Sequence, residues 1–264
     1  MGSERAGSNT RRNTLLLLGL PLILLIAAPL VGLLTHTDSS ALWTAAGSPA
    51  VLQALGVTCV TTSMVVGVTL LCGTPLAILL STRAQAMHGI RSIIELPTVL
   101  PPAVAGIALL TLFGRMSTVG QFLAGYSIFI PFSTAAVVLA QLFVAAPLYI
   151  RACMIAFDRV DPLLADAALI DGATPWQYWT RVVFPLSRSG IQAGIGMTTA
   201  RALGEFGATA LFAGNMPGRT RTMALAIYVS ADSEPAVASA MSIILLVVAL
   251  CILIVTNLQP APEA

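Results

Sequence analysis

The sequence predicts an all-α membrane protein with six transmembrane helices. Of its 264 residues, 57% are hydrophobic and 9% are charged, where a soluble domain carries about 25% charged residues. Mean hydropathy is +0.90, so lipid has to solvate most of the surface. The apolar residues also fall into runs of about 20 residues, the length of helix that crosses a hydrocarbon core of about 30 Å.

Six runs follow one another: Leu15 to Thr35, Val51 to Leu80, Ile94 to Phe113, Ile128 to Ile150, Ile191 to Ala213, and Ala236 to Val255. Only a helix satisfies its backbone polar groups within one such segment, so each reads as a helix. The first follows SERAGSNTRRNT. It is longer than a secretory h-region and no convincing cleavage site follows soon after it, so it reads as an uncleaved span. The second is overlong and reads as tilted or partly outside the lipid. The third contains LPTVLPP, in which Pro97, Pro101 and Pro102 lack the N–H of a helix ladder. A kink is expected there, either lining a gate or serving packing alone. After the fifth, Pro217-Gly218 predicts a turn. Thr222 to Ala231, too short to span, predicts a helix at the outer surface. The whole reads as one membrane unit, 1–264, with its core over 51–257.

All 13 basic residues are arginine. The phosphate-binding P-loop needs a lysine, so if ATP drives this protein's work another subunit has to bind it, and no cofactor is expected on this chain. A net charge of +2 gives no case for nucleic acid. With the N-terminus in the cytoplasm, the inner segments hold Arg5, Arg11, Arg12, Arg83, Arg91, Arg151, Arg159, Arg181 and Arg188. The outer loops hold Arg115, Arg219 and Arg221. That asymmetry obeys the positive-inside rule and places both termini in the cytoplasm. Cys59, Cys72, Cys153 and Cys251 have no metal-like spacing and read as small packing residues. His36 and His88 form no cluster, so no metal site is expected.

One polar segment interrupts the apolar chain. Between Asp158 and Arg188, the stretch DPLLADAALIDGATPWQYWTRVVFP carries helix signals. Asp161-Pro162 reads as an N-cap with proline at the first helical position. Gly172 stands where a left-handed residue ends the helix. Thr174 with Gln177 forms a capping box ahead of a second helix. Such a rigid knob suits a lever that receives force. The alternative is an interfacial helix on lipid headgroups, which Trp176, Tyr178 and Trp179 would suit.

The fifth run holds a second anomaly, RALGEFGAT. Arg201 and Glu205, four residues apart, share a helix face, and each buried charge costs about 2.5–3.5 kcal/mol, so they have to pair. Gly204 and Gly207 flank the glutamate, with Gly194 and Gly196 earlier, and small residues let helices approach. The pair is either a clamp between helices or the border of a water-filled path.

These residues carry a resemblance. Asp166-Ala167-Ala168, three residues, Gly172, nine residues, then Val182-x-Phe184-Pro185 resembles the cytoplasmic "EAA" loop of ABC-importer permeases, with Asp, Val and Phe for the family's Glu, Ile and Leu. The segments LPTVLPPAVAG and GEFGAT…GNMPG are similar to those of the molybdate permeases and the related sulfate/thiosulfate permeases, more closely the former. The similarity runs over roughly Leu55 to Ser230.

It implies a type I ABC importer permease fold in a bacterial or archaeal cytoplasmic membrane, with residues 158–188 as the coupling loop. Asp166, Ala167, Ala168, Gly172 and Pro185 would meet a cytoplasmic ATP-binding subunit carrying ATP-Mg. Arg201, Gly204, Glu205, Gly207, Pro101 and Pro102 would form the translocation path or an interior pair. The partners implied are an extracytoplasmic oxyanion-binding protein, docking near the 222–231 helix, and a second, identical permease chain. Molybdate, with tungstate, is the expected substrate and sulfate the alternative. A secondary transporter is disfavoured because no internal repeat of LPTVLPP or GEFGAT occurs. An intramembrane hydrolase is disfavoured because no nucleophile and base lie together in a span.

Overall fold

The computed structural model describes residues 2–82 and 87–257, and every regular element among them is helical. Arg83, one of the inner-facing arginines, lies outside the described residues. Helix α1 (Gly2–His36) contains the first expected span and leaves most of its described side chains exposed. A short helix the sequence reading lacked, α2 (Ser39–Gly47), follows. Its Asp38 cap accepts from Ser40 N at 3.0 Å and Ser40 Oγ at 2.8 Å. Those bonds, the backbone one foremost, hold this carboxyl below its ordinary pKa.

The second span is continuous. Helix α3 (Pro49–Val68) passes through a π turn (Thr69–Gly73) into α4 (Thr74–Thr82), giving a unit of 34 residues. The third is not. It is two helices, α5 (His88–Val99) and α6 (Pro102–Phe113), bent by 116°. A break replaces the expected kink because two prolines follow one another. A residue before proline is driven out of the helical region, and Leu100 and Pro101 have ψ of 138° and 136°.

A second unforeseen helix, α7 (Thr118–Ala124), is capped by Ser117. The fourth long helix, α8 (Thr134–Asp158), starts later than the expected Ile128. Pro131 precedes it, Phe132 has a φ of 60°, and Ser133 accepts from Ala136 N to cap the new helix. The polar segment forms α9 (Leu163–Ile170) and α10 (Pro175–Tyr178), then a π turn (Trp179–Val183) and α11 (Phe184–Leu186). Both π turns end two residues before a proline, Pro75 and Pro185. A proline ring clashes with the carbonyl four residues back, and a widened turn gives that carbonyl room.

The fifth expected span is also cut. Helix α12 (Arg188–Leu203) has 16 residues, about 24 Å at 1.5 Å per residue. After a break at Gly204–Phe206, α13 (Gly207–Phe212) resumes. The Thr222–Ala231 expectation becomes α14 (Met223–Ser233), but its first turn is not at a surface. Met223 is buried, and Met223 N donates to Thr58 Oγ1 of α3 at 2.8 Å. Helix α15 (Pro235–Asn257) matches the sixth span. Among the described residues, four units are therefore long and apolar enough to cross a membrane, and the bent α5/α6 pair makes a fifth. Of the cysteines, only Cys153 packs in the interior; Cys59, Cys72 and Cys251 are exposed, which corrects the packing role expected of them.

Helix α8 is the axis of the molecule, with α3, α4, α5, α6, α12 and α13 against it. Its closest neighbour is α12, and glycines make that approach possible. A Cβ at Gly190 would overlap Ala156 Cβ, and one at Gly194 would lie 3.1 Å from Ala152 Cβ. Ser187 Oγ donates to Ala156 O and Thr198 Oγ1 to Ala145 O, both at 3.2 Å. Gly196 turns to α15, where a Cβ would sit 3.0 Å from Thr256 Oγ1. Gly190→Val should force α12 off α8 and cost about 1–3 kcal/mol, the usual range for overpacking. The check is a lowered thermal melting midpoint of the detergent-solubilised protein, with Gly172→Ala, far from that interface, as the comparison for a local effect.

Candidate functional site

Two regions carry the chemistry, and the first is the pair of helix breaks. Helix α12 ends at Gly204, whose N–H reaches Ala200 O at 3.2 Å. Glu205 is therefore past the end of the helix, where the sequence reading had placed it inside one. The i,i+4 pairing survives. Arg201 Nη1 lies 2.6 Å from Glu205 Oε2, with side chains 31% and 1% exposed. The other oxygen, Oε1, accepts from Ala208 N at 2.9 Å. One carboxylate thus binds the last turn of α12 to the first turn of α13, acting as counter-ion and, from the residue before the N-cap Phe206, as acceptor for a first-turn amide.

The Pro101-Pro102 break lies beside this one. A Cβ at Gly207 would sit 2.6 Å from Pro102 Cβ, and one at Gly106 would sit 3.0 Å from Ala208 Cα. Any larger residue at 207 would push α13 off α6. The structure brings Pro102, Gly207 and Glu205 into one junction, although they belong to different spans. Gly204 is the C-cap of α12 and touches no other helix side chain closely. Gln141, which the sequence reading passed over, completes the junction. It is fully buried on α8, and its Nε2 donates to Ala202 O at 3.0 Å. A glutamine inside an apolar run was the signal that could have found it.

The second region is the polar segment. Asp161 Oδ1 accepts from Leu163 N at 2.9 Å, but α9 begins one residue later than expected, so Pro162 holds the N-cap position and Asp161 meets the first helical amide from one residue further out. At the other end Gly172 has a φ of +73°. Ala173 N reaches Ala168 O at 2.9 Å and Gly172 N reaches Leu169 O at 3.0 Å, the two bonds of a Schellman motif. Thr174 and Gln177 form the capping box, with Thr174 N to Gln177 Oε1 at 2.8 Å and Gln177 N to Thr174 Oγ1 at 3.3 Å.

No residue of α9 is buried. Asp166 and Ala167 are exposed and Ala168 half-buried, while Leu169 and Ile170 stand 66% and 85% exposed. Behind them, Leu164, Ala168, Gly172, Gln177 and Arg181 line a cleft of about 510 Å³ between α9 and the second helix. The three aromatics do not act as one belt. Trp176 is exposed, whereas Trp179 is half-buried, its ring centroid 5.3 Å from Phe157 and 6.0 Å from Phe184. Pro185 sits in α11, just past the π turn.

The family model described as "Binding-protein-dependent transport system inner membrane component" matches residues 70–261. The chain belongs to that family. It is thus a multi-pass inner-membrane component of a transport system. It is 40% identical over 228 residues to the "Molybdenum transport system permease protein ModB" of Mycobacterium tuberculosis, covering 86% of each chain. It is 37% identical to the "Probable transport system permease protein NifC" of Clostridium pasteurianum, over 72% of this chain and 68% of that one. A sulfate transport system permease protein, CysW of Synechocystis, is 33% identical over 61% of this chain and 60% of that one. Among solved structures, a bacterial ABC transporter that imports the polysaccharide alginate superposes with a TM-score of 0.72 at 21% identity, over 96% of this chain and 97% of that one. The MetNI methionine ABC transporter gives 0.61 at 18% identity, over 78% and 93%. These two share the fold.

Glu205→Gln keeps an acceptor for Ala208 N but leaves Arg201 without its counter-ion. A loss of about 1–3 kcal/mol is expected, the cost of a polar group deprived of its partner, and Glu205→Ala should lose more. Yield of monodisperse protein after solubilisation is the measurement.

Proposed function

We propose that this chain is the membrane-spanning permease subunit of an ATP-driven importer, passing molybdate, and tungstate with it, across the cytoplasmic membrane. The observation that carries the substrate is the 40% identity to a molybdenum transport permease over 86% of both chains. Sulfate is the second reading, favoured by the similarity to a sulfate permease. The chain performs no covalent chemistry, and ATP-Mg belongs to the partner subunit.

In this reading the bent α5/α6 pair and the interrupted α12/α13 pair each count as one crossing, which restores six spans. The arginine distribution then puts both termini and the polar segment in the cytoplasm. Helix α9, with Asp166 and Ala167 exposed and Ala168 half-buried beside them, docks on the ATP-binding subunit, and Gly172 and Pro185 set the angle at which it is held. The capped ends support this: each cap contributes about 1 kcal/mol, and a stiff helix transmits displacement. The protruding Leu169 and Ile170 give the partner an apolar surface to cover.

A second, identical permease chain faces this one across the path, and an extracytoplasmic binding protein delivers the anion. The Arg201–Glu205 pair works as the clamp of the interior junction. Both Glu205 oxygens are engaged, and an arginine held 2.6 Å from a carboxylate has little charge left to trap a dianion.

The test is uptake of radiolabelled molybdate in proteoliposomes holding the permease, its ATP-binding subunit and its binding protein, with excess sulfate as competitor. ATP-dependent uptake that survives sulfate is the expected result. Uptake abolished by sulfate selects the second reading, and uptake indifferent to ATP overturns the importer. Gly172→Pro, which cannot adopt a φ of +73°, should abolish uptake while the ATP-binding subunit still hydrolyses ATP.

A further inference from the structure

The ring of Tyr149 sits where three helices meet. On one side is Gly73, at the end of the first π turn, where a Cβ would lie 3.2 Å from ring Cδ1. On the other is Gly194 of α12, where a Cβ would lie 3.1 Å from ring Cδ2. The tyrosine is fully buried on α8, and its hydroxyl is 2.7 Å from Thr74 Oγ1, the first residue after that π turn.

Cys153 and Phe157 follow at intervals of four on the same face of α8, both buried. The Phe157 ring meets Trp179 edge-on at 5.3 Å, and Trp179 opens the second π turn. One buried column, Tyr149–Cys153–Phe157, therefore joins the π turn of the polar segment with the π turn inside the long second span. A π turn carries one residue more than the α register needs, so a shift of register is a motion open to it without breaking the helix.

We propose that Tyr149 is a positioning residue for energy coupling. Its hydroxyl bond to Thr74 latches the π turn of the α3/α4 unit to this column, so that displacement of α9–α11 by the ATP-binding subunit shifts the α3/α4 unit with it. This rests on the importer reading above. The latch is a single hydrogen bond between two hydroxyls, so conservative substitutions remove it while the ring stays in its slot between the glycines.

Cys72, exposed within the first π turn, reports on it directly. In the full transporter, with Cys59→Ala and Cys251→Ala and with buried Cys153 out of reach of the reagent, a nitroxide on Cys72 is read by electron paramagnetic resonance with and without ATP and orthovanadate. The expected result is a spectral change on ATP addition that falls about fivefold in Tyr149→Phe, the weight of one net hydrogen bond. Thr74→Val should show the same fall, and the double variant should be no worse than either single one. ATP hydrolysis should persist, with more ATP spent per molybdate imported.

A label in the parent protein that does not respond to ATP overturns the proposal. So does a Tyr149→Phe protein whose label responds in full, even if its melting midpoint drops, since the ring would then serve packing alone. A parent that responds at Cys72 but imports no molybdate leaves the latch standing and overturns the substrate reading instead.

Discussion

Backbone groups released by a broken helix inside lipid have to be met by the protein itself, and this structure is organised around two such breaks placed side by side. At Pro101-Pro102 and at Gly204–Phe206 two helical ladders stop. Neither break is left to the lipid. Glu205 takes the amide of Ala208, Gln141 takes the carbonyl of Ala202, and Pro101 O accepts from Val104 N to start α6. The junction explains why a carboxylate, a glutamine and an arginine persist in so apolar a chain. The carboxylate and the glutamine meet backbone groups at the break, and the arginine neutralises the carboxylate.

Helix α8 makes the junction possible. It carries Gln141 at the level of the breaks and presents Ala145, Ala152 and Ala156 to α12. Its small side chains meet the glycines of α12 across an interface held by packing and by hydroxyl-to-carbonyl bonds. In a membrane, where burial of apolar surface gives no driving force between helices, such contacts supply the association energy. Toward Asp158, aromatic rings replace the alanines. Phe157, Trp179 and Phe184 lock the polar segment onto the same helix. Interior junction and exposed segment are thus mounted on one element.

The polar segment differs in kind. Its stability is local: an aspartate cap, a Schellman turn and a capping box satisfy the helix ends without help from the rest of the chain. That independence lets α9 stand clear of the bundle with Leu169 and Ile170 uncovered.

How much could be read from the residues alone follows from this division. The capped segment was legible residue by residue, down to the left-handed Gly172 and the Thr174–Gln177 box, because caps depend on neighbours within a few positions. Span positions were legible in outline for α1, α3/α4 and α15, because lipid demands long apolar runs. The Arg201–Glu205 pairing was legible because an unpaired charge there is too costly. Three-dimensional packing alone sets the proline kink as a bend of 116°, puts Glu205 in a break where it meets the amide of Ala208, and brings Pro102 against Gly207. The late start of α8, the burial of Met223 and the recruitment of Gln141 were decided there too. Each of these depends on which carbonyl or amide of a distant helix comes within reach, and a one-dimensional pattern of apolar residues does not carry that distance.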